Sequence, residues 1–178
     1  MDSNDDVVRR AASGDADAFA ALFDRFHTPV YRYFAARMRD RTEAQDMTAT
    51  VFLEAAQRLP GFRGDGRAFV AWLFTVARHD LADLRRRDRR HPVDPVEAVV
   101  VEDTAPDPAQ HVVARLDHDR LRDALDQLTL DQREVLLLKF AADLSNEETA
   151  RALGKPVTAV KSLQHRGLAA LRRLLEDR

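Results

Sequence analysis

Lys161, Ser162, His165 and Arg166 recur within six residues of a stretch that carries no proline after Pro156. On a helix of 3.6 residues per turn the four fall within an arc of about 140°, on one half of the circumference. An ammonium, a hydroxyl, an imidazole and a guanidinium set side by side offer donors to phosphate oxygens and to base edges in a DNA groove. With Val160 at the centre of the opposite side, Gly167, Leu171 and Leu174 fall within about 40° of it and Leu163 about 60° away, at about 100° per residue. Thr158 and Arg172 then join the outward set, and Gln164 lands near the edge of the apolar side. A polar outer face is ordinary for an amphipathic helix, so this face needs a second feature to carry meaning.

The hinge before it supplies one. Residues 144–167, "LSNEETARALGKPVTAVKSLQHRG", read as two short helices joined at Gly154-Lys155-Pro156. Ser145 and Glu148 have the spacing of a capping box, which starts the first helix. Gly154 suits the left-handed position that ends it. Two helices joined by so short a turn form helix-turn-helix geometry, which lays the start of the second helix in a major groove. A plain helical hairpin has the same local signals, and the basic C-terminal block separates the two. Residues 151–178 hold seven Lys/Arg against two acids.

A second basic block lies upstream. Residues 78–90 hold six Arg (Arg78, Arg85, Arg86, Arg87, Arg89 and Arg90) against three Asp. Such a density gives salt-dependent attraction to phosphates. The net charge of −2 hides both blocks, because residues 93–108 hold five acids and no base. Catalysis finds no footing. Six His (27, 79, 91, 111, 118, 165) are present, but no pair shows the metalloprotease spacing with an intervening Glu, and no phosphate-cradling glycine motif occurs. The chain has no Cys, which excludes disulfides and thiolate zinc sites. We expect no metal, no cofactor and no enzymatic activity.

These groups must be positioned by helices, since strand alternation is absent and helical spacing recurs. Phe19, Leu22, Phe23 and Phe26 make one stripe, and Val30, Tyr31, Phe34 and Met38 another after Pro29. Met47, Val51, Leu53, Ala55 and Leu59 predict a third helix over about 43–59, ended by Pro60-Gly61. A turn at 62–67, "FRGDGR", precedes a long helix from about Ala68 to Arg89, with Phe69, Trp72, Leu73, Val76, Leu81 and Leu84 as its core stripe. From His91 to about Ala109 the pattern dissolves among four prolines and repelling acids, which predicts a solvated linker. Beyond it Leu116, Leu121, Leu125 and Leu128 form a stripe, and Asp131 with Glu134 predicts the cap of a helix carrying "REVLLLKFA". No run is long and apolar enough to span a membrane, and the polar, acidic N-terminus is unlike a secretory signal. The expectation is a cytoplasmic, all-α chain without membrane insertion.

Three stretches together resemble a known family. "FRGDGRAFVAWLFTVARHDLADLRRRDRR" is similar to the promoter-melting part of extracytoplasmic-function (ECF) sigma factors of the sigma-70 family. "LSNEETARALGKPVTAVKSLQHRG" resembles their fourth conserved region, and "EAQDMTATVFLEAAQRL" the helix that docks on core RNA polymerase. The resemblance implies two helical domains, a four-helix promoter-melting domain at 1–91 and a helix-turn-helix domain at 111–178, joined by a flexible acidic linker at 92–110. It implies two partners, core RNA polymerase and promoter DNA. The −35 element would be read as duplex by Arg151, Thr158, Lys161, Ser162, His165 and Arg166. The −10 element would be opened, and its single strand held, by Arg63, Gly64, Asp65, Gly66, Arg67, Arg78, His79, Arg85, Arg86 and Arg87. Polymerase would be met by Gln45, Asp46, Val51, Phe52 and Glu54. An anti-sigma factor is a further candidate partner, because many members are held inactive by one. No further domain is expected after the recognition helix.

The sequence departs from the family pattern at identifiable places. His79 stands where Asn is usual, and Ala49-Thr50 where the family often has Gln or Ala followed by Glu. "KSLQHRG" moves the apolar position from 164 to 163, and Asp143 replaces a usual Gly. The resemblance implies that the linker threads a basic channel, which the acids Asp94, Glu97, Glu102, Asp103 and Asp107 would suit; they equally suit solubility and simple spacing. A stand-alone helix-turn-helix regulator is the alternative reading, and it leaves the first domain's motifs without purpose.

Overall fold

The computed structural model describes residues 4–90 and 119–176, the side chains of 88–90 apart. The linker expected at 92–110 and the start of the second domain lie outside the described residues. Among the described residues every regular element is helical: α1 (Asn4–Ala12), α2 (Ala16–Ala35), α3 (Arg41–Arg58), a short 3-10 turn (Leu59–Gly61), α4 (Gly66–Arg90), α5 (119–126), α6 (Leu130–Leu136), a π-helical turn (Leu137–Ala141), α7 (Asn146–Leu153) and α8 (Val157–Glu176).

Local chemistry sets most of the boundaries. Asp15 starts α2 by accepting from the amides of Asp17 and Ala18, both at 3.0 Å. Asp40 does the same for α3 through Thr42 at 2.7 Å, and Asp65 for α4 through Ala68 at 2.6 Å. Ser145 and Glu148 form the expected capping box, and Gly154 closes α7 at φ 62°. Two expectations differ. Pro29 lies inside a continuous α2, because Leu22 and Phe26 before it and Val30, Tyr33 and Phe34 after it bury into one core. The cap of α6 is Thr129 with Gln132, two residues before the expected Asp131. Asp131 instead takes Lys155 from the α7–α8 turn at 2.9 Å, pinning the hinge to α6.

The first body packs α1 on α2 and α4, α2 on α3, and α3 on α4. Tyr33, Phe34, Phe69 and Phe74 are fully buried at its centre. Trp72, expected in the core, is half-buried, its ring 5.5 Å from Phe62 and 5.9 Å from Phe69. The second body packs α6 and α7 against α8 around Val135, Ala150 and Val160. The two bodies touch: α4 lies on α7, α2 on the π-helical turn, and one apolar cluster runs from Leu73 and Phe74 to Leu136, Leu137, Leu144 and Ala152.

Asp143 joins the π-helical turn to α7 at φ 55°, the one non-glycine residue with positive φ among those described. An L-residue is strained there, and the family's usual Gly is not. Asp143→Gly is therefore expected to raise stability by about 0.5–1 kcal/mol, offset in part by the freer unfolded chain, and to raise Tm by about 2 °C. Thermal melting followed by circular dichroism checks this, and a lower Tm would show that the Asp side chain stabilises the turn.

Candidate nucleic-acid interface

The second helix of the hinge is built as its spacing predicts. Val160 and Gly167 are buried, Leu163, Leu171 and Leu174 half-buried, and Gln164 half-buried at the edge. Thr158, Lys161, Ser162, His165 and Arg166 are all exposed, as is Arg172. Gly167 sits where a Cβ would lie 3.3 Å from Leu136, so α8 seats closely on α6. Of these outward groups only Arg166 leans on its own helix, its Nε 3.5 Å from the Ser162 carbonyl, a long contact that leaves the guanidinium free to turn. Arg151, at the end of α7, is exposed, and its guanidinium lies 3.5 Å from the carboxylate of Asp65 in the first body.

The loop expected to capture a base stands at the entry to α4. Arg63, Gly64, Asp65 and Arg67 are exposed and Gly66 is buried. Its glycines are required by crowding. A Cβ on Gly64 would fall 2.8 Å from the Phe62 ring and 2.9 Å from Ala68, and one on Gly66 2.7 Å from Asn4. A cleft of about 380 Å³ opens between this loop and α1, walled by Asp5, Val8, Arg9 and Ala12 and by residues 62–65. Asp5 also accepts from the Gly66 amide at 2.7 Å, tying the loop to α1 across 61 positions. Sequence reasoning missed this wall, since no local spacing links α1 to a loop so far along the chain.

The arginines on α4 divide. Arg86 and Arg87 are exposed, and Arg86 pairs with Asp83, whose carboxyl is held below its usual range by that bond. Arg85 is half-buried. Burial, and then the nearby Arg37 and Arg133, lower its pKa. His79 is exposed one turn before Asp83. Beside it Asp80 is half-buried with Oδ2 unpartnered, and burial, then Glu54 and Asp83, raise its pKa. Arg78 points elsewhere: its Nε is 3.2 Å from Glu134 and its Nη1 2.8 Å from the Ala152 carbonyl, both in the second body. Arg89 and Arg90 have side chains outside the described residues.

The residues expected to meet polymerase divide by burial. Gln45 and Asp46 are exposed, and Glu54 is half-buried and paired with Arg58 at 2.8 Å. Val51 and Phe52 are buried, at 0% and 4% exposure, and so are not surface contacts. The buried side of α3 is Ala44, Thr48, Val51, Phe52 and Ala55, at steps of three and four. Leu53, placed in the core stripe from sequence, lies off that side and is 65% exposed.

Residues 22–91 match the sigma-70 region 2 family and residues 118–171 the sigma-70 region 4 family. The chain is 39% identical over 97% of its length to the ECF RNA polymerase sigma factor BldN of Streptomyces coelicolor, covering 66% of that protein. It is 34% identical over 94% of its length to the ECF RNA polymerase sigma factor SigD of Mycobacterium tuberculosis, covering 82% of it. The chain belongs to the ECF group of the sigma-70 family. As a sigma factor it carries the two regions used in promoter-specific initiation by RNA polymerase. The solved structure of CnrH, in complex with the cytosolic domain of CnrY, matches this sigma factor with a TM-score of 0.75 at 26% identity over 99% of both chains. Among the described residues no helix of the sigma factor is long and apolar enough to cross a membrane.

Proposed function

We propose that α8 of this sigma factor enters the major groove of the −35 element, with Lys161, Ser162, His165 and Arg166 meeting bases and phosphates while Arg151 and Thr158 hold the flanking backbone. The observation that carries this is the exposure of all four side chains on the side opposite Val160 and Gly167, on a helix pinned by the left-handed Gly154 and the Lys155–Asp131 bond. In the first domain, taken as 1–91, the loop 63–67 with the cleft beside Gly64 receives a base of the −10 element. His79, Arg85, Arg86 and Arg87 hold its strand, and Arg78 joins them once released from Glu134. A flipped base costs a few kcal/mol of lost stacking, which such a cleft must return in contacts.

The exposed side of α3, with Gln45, Asp46, Leu53 and Glu54, docks on core polymerase. The factor performs no chemistry of its own and takes no metal or cofactor. It works in the cytoplasm, where polymerase and DNA are found, and an anti-sigma factor is a candidate partner by its likeness to the sigma factor RpoE of Bartonella quintana, solved in complex with the anti-sigma factor NepR. A regulator acting without polymerase leaves α3 and the loop unused.

Run-off transcription with core polymerase on a library of promoter fragments tests the reading. Defined start points that depend on this chain are expected. Absence of any start point, together with tight sequence-specific binding of duplex DNA by the free protein, would replace this reading with the regulator.

A further inference from the structure

We propose that α1 forms the reading wall of the cleft beside Gly64: Asp5 holds the 63–67 loop in its capturing shape, and Arg9 supplies the guanidinium that reads the edge of the captured base. The proposal deepens, and rests on, the assignment of that loop to a flipped base of the −10 element.

Helix α1 ends at Ala12, ahead of residue 22, where the match to the region 2 family begins. That match therefore gives the helix no role. Its packing does. The helix rests on α2, on the 3-10 turn and on α4, with Val8 and Ala11 buried. Asp5, Val8, Arg9 and Ala12, at steps of one, three and four, share one side of it and wall the cleft.

The two walls differ in chemistry. Gly64 carries no side chain and has room for none, since a Cβ would meet Phe62 at 2.8 Å and Ala68 at 2.9 Å. Asp65 is engaged at the start of α4, where it accepts from the Ala68 amide at 2.6 Å. Asp5 is engaged on the loop itself, accepting from the Gly66 amide at 2.7 Å. The cationic groups on the cleft are then Arg63 from the loop and Arg9 from α1. The Arg9 side chain is 76% exposed and pairs with Asp6 one turn before it. A surface pair of that kind holds weakly, so the guanidinium can turn to a better acceptor. Its fork donates two parallel N–H bonds. Two neighbouring acceptors on one edge satisfy it, as in guanine through O6 and N7 or cytosine through O2 and N3. Adenine and thymine set no two acceptors side by side.

The test uses the full chain with core polymerase and a run-off library randomised through the −10 element. The parent is expected to prefer guanine or cytosine at one position there. Arg9→Ala and Arg9→Lys should both relax that preference about tenfold, the loss of one bidentate base contact, while the other positions keep theirs. The Arg9 side chain lies mostly in water, so neither change opens a cavity. Lysine separates the two acceptors a guanidinium could meet: a phosphate takes a point charge, whereas a base edge needs the fork. An Arg9→Lys variant with the parent's preference, or an Arg9→Ala variant weakened evenly across all sequences, overturns the reading by Arg9.

Asp5 is a positioning residue, and its conservative variant separates position from bulk. Asparagine keeps an oxygen for the Gly66 amide and alanine does not. Asp5→Ala is expected to lower run-off from the preferred fragments about tenfold, and Asp5→Asn to stay near the parent. 2-Aminopurine placed next to the captured base brightens when its neighbour leaves the stack. That rise should be lost in Asp5→Ala and kept in Asp5→Asn, and an equal rise in Asp5→Ala and the parent overturns the positioning role. A parent that initiates yet prefers no base in the element removes the loop assignment beneath the proposal. A parent with a preferred base that every α1 variant keeps removes the part given to α1 alone.

Discussion

Replacing Lys161 and Arg166 together by alanine is expected to lower run-off transcription about 100-fold while leaving polymerase binding unchanged. Each side chain lies on the exposed side of α8, so neither loss opens a cavity, and Tm should stay within the change expected of surface substitutions. A specific groove contact is worth about 1–3 kcal/mol, and two of them at the middle of that range would give a larger factor than 100 if fully independent. They share one helix face, five positions apart, so less than additive loss is expected. Salt separates the two roles. If one of the pair serves a phosphate, its single variant should weaken binding evenly across sequences and flatten the salt dependence by about one unit. If it serves a base, discrimination at one position relaxes instead. A double variant that initiates at the parent level would remove α8 from the −35 element.

That face was readable because its signals are local. The Ser145–Glu148 box, the Gly154 stop and the 160–167–171–174 stripe each involve residues within a few turns, and the structure keeps all of them. Asp143 was visible only as a departure from a family pattern, and the φ of 55° supplies its physical meaning. Readings failed where a distant partner intervenes. Asp131 has the spacing of a cap, but Lys155, 24 positions away, takes its carboxylate, and Thr129 caps α6 instead. Pro29 ought to break a helix, yet residues on both sides of it feed one core. Glu134 looked like the polar third position of an ordinary helix, and its donors are 56 to 101 residues upstream. No periodicity reports a bond of that span, so the closed packing of the two bodies stayed hidden while each body separately was legible. Burial also keeps Tyr33 a donor: desolvation first, and then the neighbouring Glu134 carboxylate, hold its phenol far above the usual range.

Helix α3, proposed to dock on polymerase, gives the other large effect, and it turns on adjacent residues. Phe52 is 4% exposed and meets Phe23 edge-on with ring centroids 4.8 Å apart, while Leu53 is 65% exposed. Truncating a buried phenylalanine removes its transfer energy and leaves a cavity, so Phe52→Ala is expected to cost about 3 kcal/mol or more of stability. It would lower Tm whether or not polymerase is present. Leu53→Glu changes a side chain already in water and should leave melting nearly unaltered. If α3 is the polymerase-facing helix, that carboxylate in place of an apolar contact should weaken recovery with core polymerase about tenfold, the loss of a modest interface contact. Melting curves and pull-down on the same two variants distinguish core from surface. Should Phe52→Ala melt like the parent and yet lose polymerase, Phe52 would be a surface contact after all, and the burial seen on α3 would not describe the docked helix.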